Sequence, residues 1–305
     1  MLLLFFLLIN NYDTYVEDVD PETTQSDSIV TVKFSAVGDI MCHSTQFNYS
    51  RLNDSTFDFK PVYRVIKNYL DNSDVVIGNL ETVVAGKNIK YSGYPVFNTP
   101  EEFLEGLKYA GFDILVTANN HAFDQKEVGV LNTLDNINKN GMMSSGTFYS
   151  HEDRDSIKIY FYENFNFALL SYSYGVNRYK IPGDKKYLMN IIDTALIRED
   201  IDLVKEKGID FIIVYFQFGG EYERKPNEFQ IEIVNKTISY GADIILGAHP
   251  HVLQPIEQFK TVNGNIDSGF VAYSLGNFVS NQRWRYSDGG TILNFSLTKN
   301  LNSGK

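Results

Sequence analysis

Apolar and polar positions along the chain fall into two alternating periods. Ile29 to Val37 (IVTVKFSAV) is a β-branched apolar run that stops at Gly38-Asp39, the pattern of a buried strand running into a loop. Helical spacing follows over Pro61–Leu70, then a short strand over Val75–Ile77 ending in Gly78-Asn79-Leu80-Glu81. Glu101–Ala110 reads as a helix closed by Gly111, Asp113–Thr117 as a strand, and Val128–Lys139 as a helix stopping near Gly141. Ile157–Tyr162 and Phe167–Tyr172 form a predicted antiparallel pair. Beyond them come a helix over Leu196–Lys207, a strand over Phe211–Tyr215, a helix over Glu228–Tyr240 and a strand over Asp243–Leu246. Further strands are predicted near Gly269–Tyr273 and Thr291–Leu297. Alternating strands and helices followed by antiparallel strands predict a layered α/β fold, with sheets covered by helices. No internal repeat is visible, and residues 29–305 read as a single domain.

The first residues follow another pattern. Met1 to Ile9 (MLLLFFLLI) is uniformly apolar but shorter than the roughly 20 residues a spanning helix needs. We read it as a signal or anchor remnant rather than an apolar first strand, although positive residues before it and a small-residue cleavage site after it are missing. Residues 12–28 are acidic and aperiodic, the pattern of a tether. Together they predict a domain held outside the cytoplasmic membrane, membrane-anchored or secreted. At the other end, Leu301–Lys305 follows a strand without a closing element, which gives the expectation of an incomplete C-terminus.

Composition narrows the classes of function. Lys plus Arg number 27 against 38 Asp plus Glu, a net charge of −11, which argues against nucleic acid as a partner held by general charge attraction. The single cysteine, Cys42, excludes an intrachain disulfide and a thiolate zinc cage.

Candidate chemistry collects where strands end. Five apolar strands run into loops of unusual polar content: Asp39 with His43, Asn79 with Glu81, Asn120 with His121 and Asp124, Gln217 with Glu221, and His249 with His251. Four of the five histidines lie in these loops. Ligands of layered α/β proteins bind at the carboxyl ends of strands, so the loops can converge on one site. Asp, Asn and His are ligand types of hard to borderline divalent metals. His249-Pro250-His251 is the strongest single piece. Pro250 is expected to hold His249 extended, which would point both imidazoles to one side. Arg178-Tyr179-Lys180, Lys185-Lys186, Arg224-Lys225 and Arg283-Trp284-Arg285 are local basic clusters, read either as solvated loops or as a rim that receives a polyanion, with Trp284 as an apolar wall.

Ordered motifs carry a resemblance. Gly38-Asp39-Ile40-Met41 with His43, Gly78-Asn79-Leu80-Glu81, Ala118 to Asp124, Gly247 to Gln254 and Tyr273 to Phe278 resemble the CapA family of bacterial poly-gamma-glutamate capsule synthesis proteins, over about residues 30–298. That family is similar to calcineurin-like metallophosphoesterases. The resemblance implies a four-layer α/β/β/α sandwich with a divalent-metal site at the strand ends, holding one or two ions. Mn²⁺ or Mg²⁺ is favoured, with Zn²⁺ or Fe as alternatives. Carried over by position, Asp39, Asn79, Glu81, Asn120, Gln217, His249 and His251 stand at metal positions. His43 is an open case, because its spacing from Asp39 is wider than the usual Asp-x-His. His121 resembles the general acid, with Asp124 beside it, and Glu221, Asn277, Arg283 and Arg285 are substrate-binding candidates. Gln217 departs from the pattern, since the family has histidine there, and this puts a second ion in question. Two functions follow: a metal-dependent hydrolase acting on an anionic polymer or phosphoester, or a non-catalytic, polymer-binding subunit of a capsule synthesis membrane complex. Gln217 favours the second, and the remaining set favours the first.

Overall fold

The protein is described by a computed structural model that covers residues 28–53 and 55–302. The expected export segment and nearly all of the tether lie outside the described residues. No helix among those described is long and apolar enough to cross a membrane.

The strands are β1 (Ile29–Ile40), β2 (Val75–Leu80), β3 (Ile114–Val116), β4 (Met143–Ser145), β5 (Ile159–Tyr162), β6 (Phe165–Ser173), β7 (Phe211–Gln217), β8 (Ile244–Ala248), β9 (Ile256–Lys260), β10 (Ser268–Ala272), β11 (Asn277–Val279) and β12 (Ile292–Asn300). Between them run α1 (Ser44–Tyr49), α2 (Lys60–Leu70), α3 (Glu102–Ala110), α4 (Lys126–Lys139), α5 (His151–Asp155), α6 (Thr194–Glu206) and α7 (Glu228–Tyr240). One six-stranded sheet has the order β11-β1-β2-β3-β4 with β12 paired to β1, and the other the order β5-β6-β7-β8-β10-β9. The central strands of both sheets are parallel, and β5, β9 and β12 pair antiparallel at the margins.

Three apolar cores separate four layers. Between the sheets, Phe34 packs edge-on to Phe167 and Phe211 and stacks on Phe295, with Ile77, Ile213 and Leu246 around them. Outside the first sheet, Phe59, Tyr63, Phe103 and Leu107 of the α2–α3 layer pack on Val76 and Leu115. Outside the second, Ile197, Ile201 and Val204 of α6 and Ile233 and Val234 of α7 cover Ile212, Val214 and Ile245. A parallel strand buried on both faces requires a continuous apolar run, which is why FIIVY reads so clearly as a strand.

The predicted elements form close to their expected bounds, and Gly111 and Gly241 end their helices in the left-handed conformation. Sequence reading missed β4, β9, β11, α1 and α5. The two three-residue strands are too short to show a period, and β9 (IEQFK) is mostly exposed. One close approach sets the site: a Cβ on Gly38 would fall 1.9 Å from the Gly276 carbonyl oxygen, so only glycine lets β1 deliver Asp39 beside that turn.

Candidate metal centre at the strand ends

The carboxyl ends of β1, β2, β3, β7 and β8 meet at one edge of the sandwich. Tyr215 of β7 donates its hydroxyl to the Val37 carbonyl of β1 at 3.0 Å and fixes one sheet against the other just below.

Glu81, His249 and His251 form the centre. One donor atom from each lies within 4.8 Å of the others, and all three are buried. Both Glu81 carboxylate oxygens are buried without a hydrogen-bond partner. A carboxylate stripped of water and of hydrogen-bond partners is costly unless a proton or a cation neutralises it. Burial and the nearby Asp39 charge push the Glu81 carboxyl well above its usual range. His249 is driven down to about 4 by burial and by the charge of His251, so it is a neutral imidazole near pH 7. Carboxylate and imidazole donors of this kind fit a divalent cation.

Asp39 sits behind the trio. Its Oδ2 lies 2.9 Å from His251 Nδ1, while His251 Nε2 faces Glu81 Oε1 at 3.9 Å. A carboxylate on one ring nitrogen fixes the tautomer and offers the other nitrogen as ligand, the usual outer-shell arrangement of metal-binding histidines. Burial opposes charge on both groups. Their mutual hydrogen bond and attraction outweigh it, so His251 is raised and Asp39 lowered. Asp39 also accepts the His249 backbone N–H at 3.3 Å.

His249-Pro250-His251 is not extended, contrary to the expectation from its sequence. His249 and His251 have φ of +97° and +58°, not extended values. Proline keeps His249 out of the right-handed helical region, and its backbone N–H is bonded to Asp39. The rings still converge, with centroids 5.9 Å apart. Two non-glycine residues in this region are backbone strain of the kind that functional sites hold.

Beside the trio runs a chain of amides. Asn79 Nδ2 donates to Asp39 Oδ1 and to Gln217 Oε1, both at 2.8 Å. Gln217 Nε2 donates to Asn120 Oδ1 at 3.0 Å and lies 3.4 Å from His249 Nδ1. Asn119 Nδ2 in turn reaches Asn79 Oδ1 at 3.2 Å. The carbonyl oxygens that Asn79, Gln217 and Asn120 would offer a cation are thus engaged by the amide groups of Asn119, Asn79 and Gln217 in turn.

His121 lies at the mouth. Its Nδ1 is 2.8 Å from Asp124 Oδ2, which also accepts the Phe97 N–H, so the ring is fixed. Phe97 packs edge-on at 4.7 Å, and Nε2 faces Asn177 Nδ2 at 3.5 Å. His43 is partly buried nearby, with Nδ1 3.2 Å from Gln46 Oε1 and 3.4 Å from Asn281 N, and it stands outside the trio. Asn277 pairs with Asp39 across β11 and β1, and its Nδ2 donates to Gln282 Oε1 and the Ser287 carbonyl. Glu221 is exposed, its charge reaching His251. Arg283 is held by Asn281, and Arg285 leans on Tyr286. Sequence reading did not single out Asn177, Tyr174 (ring 4.6 Å from His249) or Tyr222 (6.0 Å from His251). Nothing in their local pattern separates them from ordinary loop residues.

The chain is thus a four-layer α/β sandwich that gathers a buried carboxylate–imidazole cluster at its strand ends. Residues 33–282 match the bacterial capsule synthesis protein family PGA_cap, and the chain belongs to that family. It is 31% identical over 298 residues to the PGA biosynthesis protein CapA of Bacillus subtilis (strain 168), covering 91% of this chain and 70% of that one. It is 30% identical over 255 residues to the capsule biosynthesis protein CapA of Bacillus anthracis, covering 78% of this chain and 58% of that one. Among solved structures, the NAD nucleotidase NadN of Haemophilus influenzae shares the fold, with a TM-score of 0.53 at 16% identity, covering 88% of this chain and 53% of that one.

Proposed function

We propose that this protein acts in poly-gamma-glutamate capsule biosynthesis outside the cytoplasmic membrane, as a hydrolase that uses one divalent cation on an anionic substrate. The observation that carries the reading is the buried Glu81 carboxylate, unpartnered at both oxygens and flanked by His249 and His251. Glu81, His249 and His251 would hold the cation, with Asp39 orienting His251. Mn²⁺ is the cation favoured here for the carboxylate, and two imidazoles with one carboxylate would serve Zn²⁺ as well. When bound, such an ion supplies electrostatic stabilisation of the negative charge that develops in the transition state. The chain's own groups do the rest. Asp124 keeps the His121 ring in place, and Nε2, which faces Asn177 Nδ2, would hand a proton to a leaving atom when the ring carries both protons. Phe97, packed edge-on against it, limits water around that ring.

The amide chain Asn79–Gln217–Asn120 supports a second reading, in which the pocket binds polymer as an accessory subunit without turnover. Single-turnover assays with phosphoesters and γ-glutamyl peptides, with and without added Mn²⁺, separate the two. Cation-dependent cleavage that falls about a hundredfold or more in His121→Asn is expected. Absence of cleavage across the panel in cation-loaded protein would leave the accessory reading.

A further inference from the structure

Beside the His251 edge of the centre, an exposed ledge gathers cations and aromatic rings on a chain of net charge −11. Arg224 and Arg285 both lie over the Tyr286 ring, at 4.0 and 4.8 Å from its centroid. Trp284 packs edge-on to Tyr222 at 5.4 Å, and Tyr222 stands 6.0 Å from the His251 ring. Trp284 is 52% exposed and Tyr286 41%. Among the described residues, neither Arg224 nor Arg285 has a carboxylate partner within salt-bridge distance, and both are held by the Tyr286 ring instead.

The ledge is built rather than loose. Asn277 Nδ2 donates to the Ser287 carbonyl and to Gln282 Oε1, and Gln282 Nε2 reaches the Tyr222 hydroxyl at 3.2 Å. Tyr222 N–H is bonded to the Pro250 carbonyl at 2.7 Å. Both sides of the ledge are therefore tied to the loops that carry His249, His251 and Asn277.

We propose that Arg224, Arg285, Tyr286, Trp284 and Tyr222 form a subsite for an extended polycarboxylate, gripping the substrate chain on the His251 side; this rests on the hydrolase reading for its role but not for its binding. A guanidinium stacked on an aromatic face keeps its donor edge free for a carboxylate and loses little freedom on binding. The exposed ring faces of Trp284 and Tyr222, beside the guanidinium groups, suit methylene segments between the carboxylates. A uniformly charged polyphosphate would leave those faces without partners.

Trp284 is the only tryptophan, so its emission reports on the ledge directly. Titration of the protein with a γ-linked glutamate oligomer should give a saturable change in that emission, weakening with added salt. In the double variant Arg224→Gln with Arg285→Gln, affinity should fall about tenfold or more while bound divalent cation, measured by elemental analysis, stays the same. Polyphosphate of equal charge should bind more weakly than the oligomer. Glu81→Gln should lose the cation yet keep the fluorescence response, which separates failure of the centre from failure of the ledge. No saturable response, an unchanged affinity in the double variant, or polyphosphate binding as tightly as the oligomer would each overturn the proposal.

Discussion

Gln217 shows how one residue decides what a pocket can hold. Its amide takes a hydrogen bond from Asn79 and gives one to Asn120, so it braces the floor instead of presenting a free oxygen. Gln217→Leu keeps most of the volume but strands both neighbours. It should cost about 1–3 kcal/mol in urea denaturation, with the amount of bound cation unchanged. A loss of cation at full stability would instead make Gln217 a ligand. At this scale the sequence announced residue types and left roles open. Strand-end Asp, Glu and His were visible as a set. That Asp39 stands behind His251, and that Asn119, Asn79, Gln217 and Asn120 form one chain of hydrogen-bonded amides, depends on distances that no spacing reveals.

Among the elements, β1 matters most, because it pairs with β2, β11 and β12 and carries Asp39 at its end. Gly38→Ala would drive a methyl into the Gly276 carbonyl. The strand or the turn must move, which should cost about 1–3 kcal/mol and weaken cation binding, read by thermal unfolding and by titration calorimetry. Helix α6 is anchored differently. Buried Asp200 accepts Arg154 Nη2 at 2.7 Å and the Tyr172 hydroxyl at 2.6 Å, joining α5, β6 and α6. Asp200→Ala leaves both donors without their acceptor and should cost about 3–5 kcal/mol by denaturant unfolding, far from the centre. Long apolar runs such as FIIVY and helix–glycine boundaries were legible because burial on both faces and left-handed caps impose local patterns. Strand β11 was not, since Asn277–Val279 is set by pairing with the end of β1 and not by its own composition.

Across the whole molecule, two sheets sealed by an aromatic core hold loops from opposite sheets a few ångströms apart. Glu81 comes from the first sheet and His249 and His251 from the second, so the centre exists only when the sandwich is closed. A cation bridging the sheets should stabilise the folded chain in proportion to its concentration over its dissociation constant, about 2.7 kcal/mol at a hundredfold excess. Chelator treatment should lower the melting temperature accordingly. The most direct measurement is elemental analysis of the purified protein after equilibration with Mn²⁺, beside Glu81→Gln prepared in the same way. One divalent ion per chain in the native protein and none in Glu81→Gln is the predicted result, and an ion retained by Glu81→Gln, or none bound by the native chain, would contradict it.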